Sequence, residues 1–495
     1  MNISNEKINR KDLIIWGVLF CLQVIILWVG ITHEGVWYDE ACSVGIIRHP
    51  ISEIWQVVKG DVHPPLYFFM LKVFTSFFGN SVLVMRSLSA LAILAVFLLG
   101  IGPIRRACGK TVGFWFSFFV MVTPIYLGMA QEIRMYTWAV FFVTGSLLYA
   151  YLAMAEGKKR DWILFGGFML AAIYTHYYAL MAMVILCGLI TLWFCFNLKK
   201  RFNFMFLIVT GVAILCFLPW IFGFSYQVGG ISHGNYWIPP VTFESIWQVL
   251  IYPFGYKLSI IDPLAPISFL LITGLILWGI VQVRLKKRKA PLVYWAVSVY
   301  ILTLLAAVIF SFLFWPILFA RHMLPVTALF LLGAAYGLAQ IPNPKISLGI
   351  ALVFVALLIP HLITINQSRF NGPTQEIVSY FKENAKPGDV FIHTAPNTWG
   401  FFCYYFPDYQ QFFYTVHSDP GFAYCRTFEP NGSAGLDLRG FLQSNHPQNI
   451  WVIDEAMETE NPVVMYLRNQ PVLDTRLFKI PESWFTVRIF NIKPQ

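Results

Sequence analysis

The sequence predicts a polytopic α-helical membrane protein with a small α/β domain at its carboxy terminus. Three observations lead there. Of 495 residues, 58% are hydrophobic and only 12% charged, whereas soluble domains carry roughly 25% charged residues. Apolar runs of about 20 residues, the length that crosses a bilayer core, recur from residue 13 to residue 366. Beyond residue 367 the pattern changes to amphipathic and alternating stretches. Backbone groups in lipid must be satisfied within their own segment, so the apolar runs are read as helices.

The predicted spans are 13–32, 82–104, 111–130, 136–155, 162–175, 178–198, 203–226, 263–283, 291–314, 317–340 and 346–366, about eleven in all. Basic loops fall between them: NRK at the start, RRACGK (105–110), GKKR (157–160), LKKR (198–201), RLKKRK (284–289) and NPK (343–345). With every span counted, all these loops lie on one side, which the positive-inside rule makes cytoplasmic. The net charge of +10 therefore reads as topology and not as a nucleic-acid footprint. The amino terminus is expected in the cytoplasm. The first run lacks a small-residue cleavage site and reads as a retained signal anchor.

The organisation expected is a transmembrane domain over 1–366 and an extracytoplasmic α/β domain over 367–495. In the first outer loop, 33–81, the stretch HPPLYFFMLKVFTSFFG (63–79) opens on Pro64–Pro65, where proline suits a helix start. It reads as a helix lying in the membrane interface, with a short span as the alternative. In the tail, TQEIVSYFKENAKPGDVFIHT reads as helix, turn and strand. NIWVIDEA reads as a buried strand, and RLFKIPESWFTVRIFNI as a hairpin. Eight cysteines show no metal-ligand spacing. Cys403 and Cys425 could pair in an extracytoplasmic tail, or stay reduced and buried.

Polar groups kept at membrane depth are candidates for function. On the outer side these are Asp39, Glu40, Asp61, His63, Glu132, Arg134, His176, Tyr177, Tyr178, Lys257, Arg321 and His322. A partly desolvated carboxylate such as Asp39 can act as a general base. Arg134 and Arg321 can hold a phosphate bidentately and stabilise charge on a leaving group. With an apolar groove for a lipid chain, these parts describe group transfer from a lipid-phosphate carrier to a hydroxyl.

The ordered motifs WYDEACS, DVHPPLYFFMLKVF, FGNSVLVMRSLSAL, TPIYLGMAQEIRMYTW and YTHYYAL resemble those of GT-C glycosyltransferases. The resemblance is to bacterial relatives of protein O-mannosyltransferases and of the lipid A aminoarabinose transferase, and covers roughly residues 10 to 340. FARHMLPVTALFLLGAA is similar to that family's late arginine-aromatic segment, with His322 in place of the usual tyrosine. The resemblance implies Asp39 as catalytic base, Glu40 as its partner, and Asp61 and His63 as site-lining residues. It implies Arg134 as a phosphate ligand, Glu132 as the neighbour orienting it, and Arg321 as a second donor contact. His176, Tyr177 and His322 are implied to contact substrate, with no particular role.

Structural alternatives stand beside these roles. Asp61 could cap the helix after Pro64. His176 could be a buried helix-end histidine, and Glu132 could simply pair with Arg134. Trp37, Tyr38, Tyr236 and Trp237 suit an interfacial aromatic belt.

The expected reaction is a single inverting displacement at the anomeric carbon of a polyprenyl-phosphate sugar. No cofactor or metal is expected, since the outer loops hold no D-x-D. A divalent cation on Asp39, Glu40 and Glu132 is the alternative. Expected partners are the lipid-linked donor, a hydroxyl acceptor (glycan, lipid or protein) and membrane lipid, with no nucleic acid. The donor sugar is expected to be mannose, another hexose, or a pentose. The resemblance places the chain in a bacterial plasma membrane. A flippase for lipid-linked sugar is the competing reading, but transporters place charge along mid-span paths, and here the candidates crowd one side. A receptor or scaffold is the third class.

Overall fold

The computed structural model describes residues 9–32, 35–196, 204–231, 238–255, 262–286, 292–370, 374–394, 396–414, 426–429, 432–434, 440, 449–455, 472–480 and 485–492. The chain divides into two compact units. The first comprises Met1–Ile31, Val84–Phe222 and Gly234–Ile365, the second Thr32–Leu83, Gly223–His233 and Asn366–Gln495.

The chain opens with α1 (Arg10–Trp28), whose amino end is capped by Asn9 and Asp12 in a reciprocal box. Three short helices follow: α2 (Tyr38–Arg48), α3 (Ile51–Val58) and α4 (Leu66–Phe78). Next come α5 (Val82–Leu99) and, beyond a π-helical turn containing Pro103, α6 (Arg105–Cys108). The pair α7 (Lys110–Val122) and α8 (Pro124–Ala130) bends by 62° at Thr123–Pro124, because proline cannot supply the amide that would continue α7. Then come α9 (Tyr136–Glu156), α10 (Lys159–Ile173), α11 (Tyr177–Phe196) and α12 (Phe204–Phe217). Gly157, at φ 71°, closes α9 in a left-handed turn that a side chain would resist. After a 3₁₀ turn come α13 (Ile221–Ile231), α14 (Phe243–Ile251), α15 (Leu264–Leu285), α16 (Leu292–Leu313), α17 (Leu324–Leu338) and α18 (Pro344–Phe370).

All eleven predicted spans correspond to helices, yet fewer have full spanning length. Among the described residues eight helices are long and apolar enough to cross a membrane, or nine with the bent α7–α8 pair. The fifth and tenth predicted spans are α10 and α17, of 15 residues each, or about 22 Å against a hydrocarbon core of about 30 Å. Every residue of α17 is buried. It is a core helix, packed so closely on α15 that a Cβ on Gly337 would lie 1.8 Å from the Leu275 carbonyl oxygen.

Polar ties mark the two ends of this helical unit. At one end Lys110 meets Asp12 at 3.1 Å, and Arg106 grips both Glu156 (2.5 Å) and Asp161 (2.6 Å). At the other end Gln131 donates to the carbonyls of Leu27 and Val29, and Arg86 to that of Ile31. These bonds satisfy carbonyls that the end of α1 leaves open. Asp161 is 1% exposed, so Arg106→Ala should strand a buried carboxylate and lower stability by about 3 kcal/mol. Thermal unfolding in detergent measures this, and an unchanged midpoint would show that the pair is dispensable.

In the second unit, α4 starts after Pro65 and exposes Val73, Phe77 and Phe78, in keeping with a helix meant for an apolar surface. The tail forms α19 (Thr374–Asn384), β1 (Val390–His393), α20 (Pro396–Tyr405), β2 (Gln410–Phe413), β3 (Gly432–Ala434), β4 (Ile450–Glu455), β5 (Val472–Ile480) and β6 (Phe485–Ile492). The six strands make one sheet of order β3-β2-β1-β4-β6-β5. β1 to β4 run parallel, and the β5–β6 hairpin adds antiparallel through β6 against β4. The Pro387–Gly388–Asp389 turn is pinned by Asp389, which accepts from Trp451 Nε1 at 2.8 Å and Asn449 Nδ2 at 2.9 Å. Ile377 and Phe381 of α19 share a core with Phe391, Phe402 and Trp451. Cys403 is buried, while Cys425, Lys257, Tyr236 and Trp237 lie outside the described residues.

His393 ends β1 inside this core. Gln411 donates its amide to the carbonyls of Phe402 and Phe406, which turns its own oxygen toward His393 Nε2 at 3.1 Å. Burial pushes the His393 imidazole down to about 3, opposed in part by the Gln411 bond. The unfolded chain takes up this proton near pH 6.5, the folded chain only near 3. Stability is therefore complete above pH 6.5 and falls as pH drops, by about 2 kcal/mol between pH 7 and pH 5. Melting of the tail, followed by tryptophan fluorescence in the full chain, should show this slope. His393→Gln should flatten it; an equal slope in that variant would contradict the assignment.

Candidate active site

The structure sorts the sequence-predicted site residues into two sets, one within each unit. The second unit holds Asp39, Glu40, Asp61 and His63. Asp39 and Glu40 occupy the first turn of α2, where a carboxylate gains from the positive end of the helix dipole. Glu40 is fully buried, and its Oε2 accepts from the Trp37 amide at 3.4 Å. It therefore performs a capping function at the helix start. Asp39 is half-buried, and its backbone carbonyl accepts from Ser43 Oγ. At the other end of α2, Lys72 on α4 donates to the Ile47 carbonyl at 2.7 Å. Lys72, the single charge within the apolar stretch 63–79 apart from His63, thus caps the carboxy end of α2.

Asp61 and His63 pair at 3.2 Å in the turn between α3 and α4. The cap position of α4 belongs to Pro65, with no side-chain bond, so Asp61 does not cap it. Gln227 of α13 donates to the carbonyls of Val58 and His63 and fixes this turn.

The first unit holds Glu132, Arg134, His176, Tyr177, Arg321 and His322. They sit on three breaks between helices: α8 to α9, α10 to α11, and the 3₁₀ turn Ala320–Met323 before α17. The Arg134 amide donates to the Glu132 carbonyl at 2.8 Å, a tight turn that Ser89 locks by donating to the Arg134 carbonyl. Glu132 and Arg134 are both buried, Arg134 to 4% exposure. A guanidinium so enclosed needs anionic or multiple hydrogen-bond partners.

From Arg134 a series of rings leads to Arg321. The Arg134 guanidinium lies 5.9 Å from the Tyr136 ring centre, and Tyr136 lies 5.4 Å from His176. His176 lies 5.9 Å from His322, His322 lies 5.6 Å from Phe319, and Arg321 lies 5.3 Å from Phe319. His176 Nδ1 accepts from the Tyr178 amide at 3.1 Å, so the neutral ring carries its proton on Nε2. His322 Nδ1 donates to the Ile317 carbonyl at 3.3 Å, which also accepts from the Tyr178 hydroxyl at 2.7 Å. The two imidazoles thus hold opposite tautomers. Tyr178 joins this cluster, whereas the Tyr177 hydroxyl accepts from Trp220 Nε1.

Tyr252, just beyond α14, escapes a reading by motif. Burial pushes its phenol well above the ordinary range, the Glu132 charge adds to the rise, and Arg321 opposes it. Glu132, Arg321 and Tyr136 therefore all act on one phenol. The only signal in the sequence is the aromatic, proline-containing IYPFGY run between two predicted spans. Among the described residues no three of His, Cys, Asp and Glu are grouped so as to hold a metal ion.

The family model for dolichyl-phosphate-mannose-protein mannosyltransferase matches residues 62–222, a stretch containing His63, Glu132, Arg134 and His176. No curated protein matches the chain by sequence. Among solved structures, ArnT from Cupriavidus metallidurans in the apo state is similar with a TM-score of 0.64 and 12% identity, over 97% of this chain and 98% of that one. The same protein bound to undecaprenyl phosphate gives 0.62 and 13%, over 96% and 98%. Arabinofuranosyltransferase AftD from Mycobacteria gives 0.51 and 13%, over 100% of this chain and 40% of that one. The chain has the fold of these GT-C glycosyltransferases.

Proposed function

We propose that this multi-pass membrane protein transfers a sugar from a polyprenyl-phosphate carrier to a hydroxyl acceptor. The observation that carries the reading is the polar cluster at the helix breaks of the first unit, around the buried Arg134 and His176. There two arginines, two histidines and Tyr252 gather in a fold shared with an undecaprenyl-phosphate-binding relative. A phosphate monoester leaving group needs such fixed positive charge as its C–O bond breaks.

In the proposed step Asp39 takes the proton from the acceptor hydroxyl. The acceptor oxygen attacks the anomeric carbon, and the bond to the phosphate oxygen breaks with its electron pair. Arg134 and Arg321 hold the departing polyprenyl phosphate, and the anomeric configuration inverts. Glu40 fixes the start of α2, Glu132 orients Arg134, and Asp61, His63, His176, Tyr177 and His322 line the substrate. No metal is assigned a part.

The basic end of the helical unit, with Arg106 and Lys110, supports a cytoplasmic amino terminus. The polar cluster and the tail are then assigned to the outer face of a bacterial plasma membrane.

The test is transfer by purified protein from a panel of mannosyl, other hexosyl and pentosyl polyprenyl phosphates, with envelope extract as acceptor and with chelator present. One donor should be consumed at undiminished rate in chelator, giving the opposite anomer. Retained configuration would overturn the single displacement, and loss of activity restored by a divalent ion would bring in the metal.

A further inference from the structure

We infer that the tail is a positioning device for the acidic pair, acting through α20 on α2. This rests on the reading of Asp39 as the base. Within the second unit, Val36 and Ala41 share one hydrophobic core with Trp399, Cys403, Phe413 and Phe428 of the tail. The contact is specific at each end of α2. Just before its first residue, the buried Val36 amide donates to the Tyr405 hydroxyl at 2.8 Å. At its last residue, Arg48 Nη1 donates to the Cys403 carbonyl at 2.9 Å, capping α20 as a cation at a helix carboxy terminus does. His49 Nε2 then donates to the Arg426 carbonyl at 2.8 Å.

Between these ends the two surfaces meet without spare room. A Cβ on Gly400 would lie 2.6 Å from the Tyr38 ring, next in sequence to Asp39. A Cβ on Gly45 would lie 2.6 Å from the Thr427 carbonyl oxygen.

These contacts fix the entry, the exit and the rotation of an 11-residue helix that is too short to hold its own position. Asp39, in its first turn, is placed by the tail as much as by the loop that carries it. Tyr405, Gly400 and Arg48 are positioning residues that need touch no substrate. Displacing a reacting group by about 1 Å can slow a step by about 100-fold, so small changes at this seam reach the chemistry.

The test compares Tyr405→Phe and Gly400→Ala with Tyr409→Phe in the full-length protein. Tyr409 bonds the Ala385 carbonyl and stacks on Phe391 in the other core of the tail. Tyr405→Phe and Gly400→Ala should each lower kcat about tenfold or more, with donor KM close to wild type, at temperatures below each variant's own melting transition. Tyr409→Phe should leave kcat unchanged. Tyr405→Phe removes one oxygen, so it decides the matter if Gly400→Ala fails to fold. A kcat within twofold of wild type in folded Tyr405→Phe would overturn the inference. Should Asp39→Asn also be fully active, the base assignment has failed instead.

Discussion

Asp39→Asn is expected to lose transfer by about 10²–10⁴-fold, the range set by removing a general base, while the protein keeps its fold. Asparagine matches aspartate in size and is tolerated in the first turn of a helix, so α2 should persist. What disappears is the proton acceptor. Glu40 provides the contrast. Its Oε2 accepts from the Trp37 amide, and the amide oxygen of Gln can do the same. Glu40→Gln should therefore stay folded and retain most of its turnover, whereas Glu40→Ala should lose about 1 kcal/mol of stability with the cap. Initial rates with saturating donor, set beside melting curves, separate these effects. Wild-type turnover in Asp39→Asn would remove it as the base.

The second large effect is expected at Arg134. Arg134→Ala should lower kcat/KM for the donor by about 10²–10³-fold, as loss of one oxyanion donor does. Arg134→Lys should recover little of it, because an ammonium cannot reproduce the planar fork that holds two phosphate oxygens. Arg321→Ala should show a smaller loss, since Arg321 is half-buried where Arg134 is enclosed. Donor titrations on the three variants measure this. Equal activity of Arg134→Lys and wild type would mean that the residue acts only as a point charge.

Much of this architecture was legible in the sequence for one physical reason: lipid forces each apolar run to be a helix. The same rule hides helix length and surroundings. α17 reads as a span because hydropathy does not distinguish a helix buried all round by protein from one facing lipid. The tail helix, its Pro-Gly-Asp turn and its final hairpin followed from periodicity and turn chemistry. The acidic pair, the QEIR turn and the histidine of THYY stood out because charge is rare in this chain. The seam between α2 and α20 did not, because Gly45, Gly400 and Tyr405 carry no local pattern, and their meaning arises only when residues over 350 positions apart are packed together. Tyr252 was equally silent. A tyrosine in an aromatic loop becomes exceptional only once Glu132 and Arg321 are folded around it.

On the proposed function, this chain breaks the bond between sugar and lipid phosphate. The most direct measurement is release of polyprenyl phosphate from a radiolabelled polyprenyl-phosphate sugar by the purified protein in detergent micelles, with and without acceptor. Micelles leave no membrane to cross, so a transporter has nothing to do. Acceptor-dependent release of the lipid phosphate, with the label moving to the acceptor, is the predicted result. Donor that binds, with affinity reduced in Arg134→Ala, but stays intact with every acceptor fraction would contradict transfer and leave a protein that only carries its lipid.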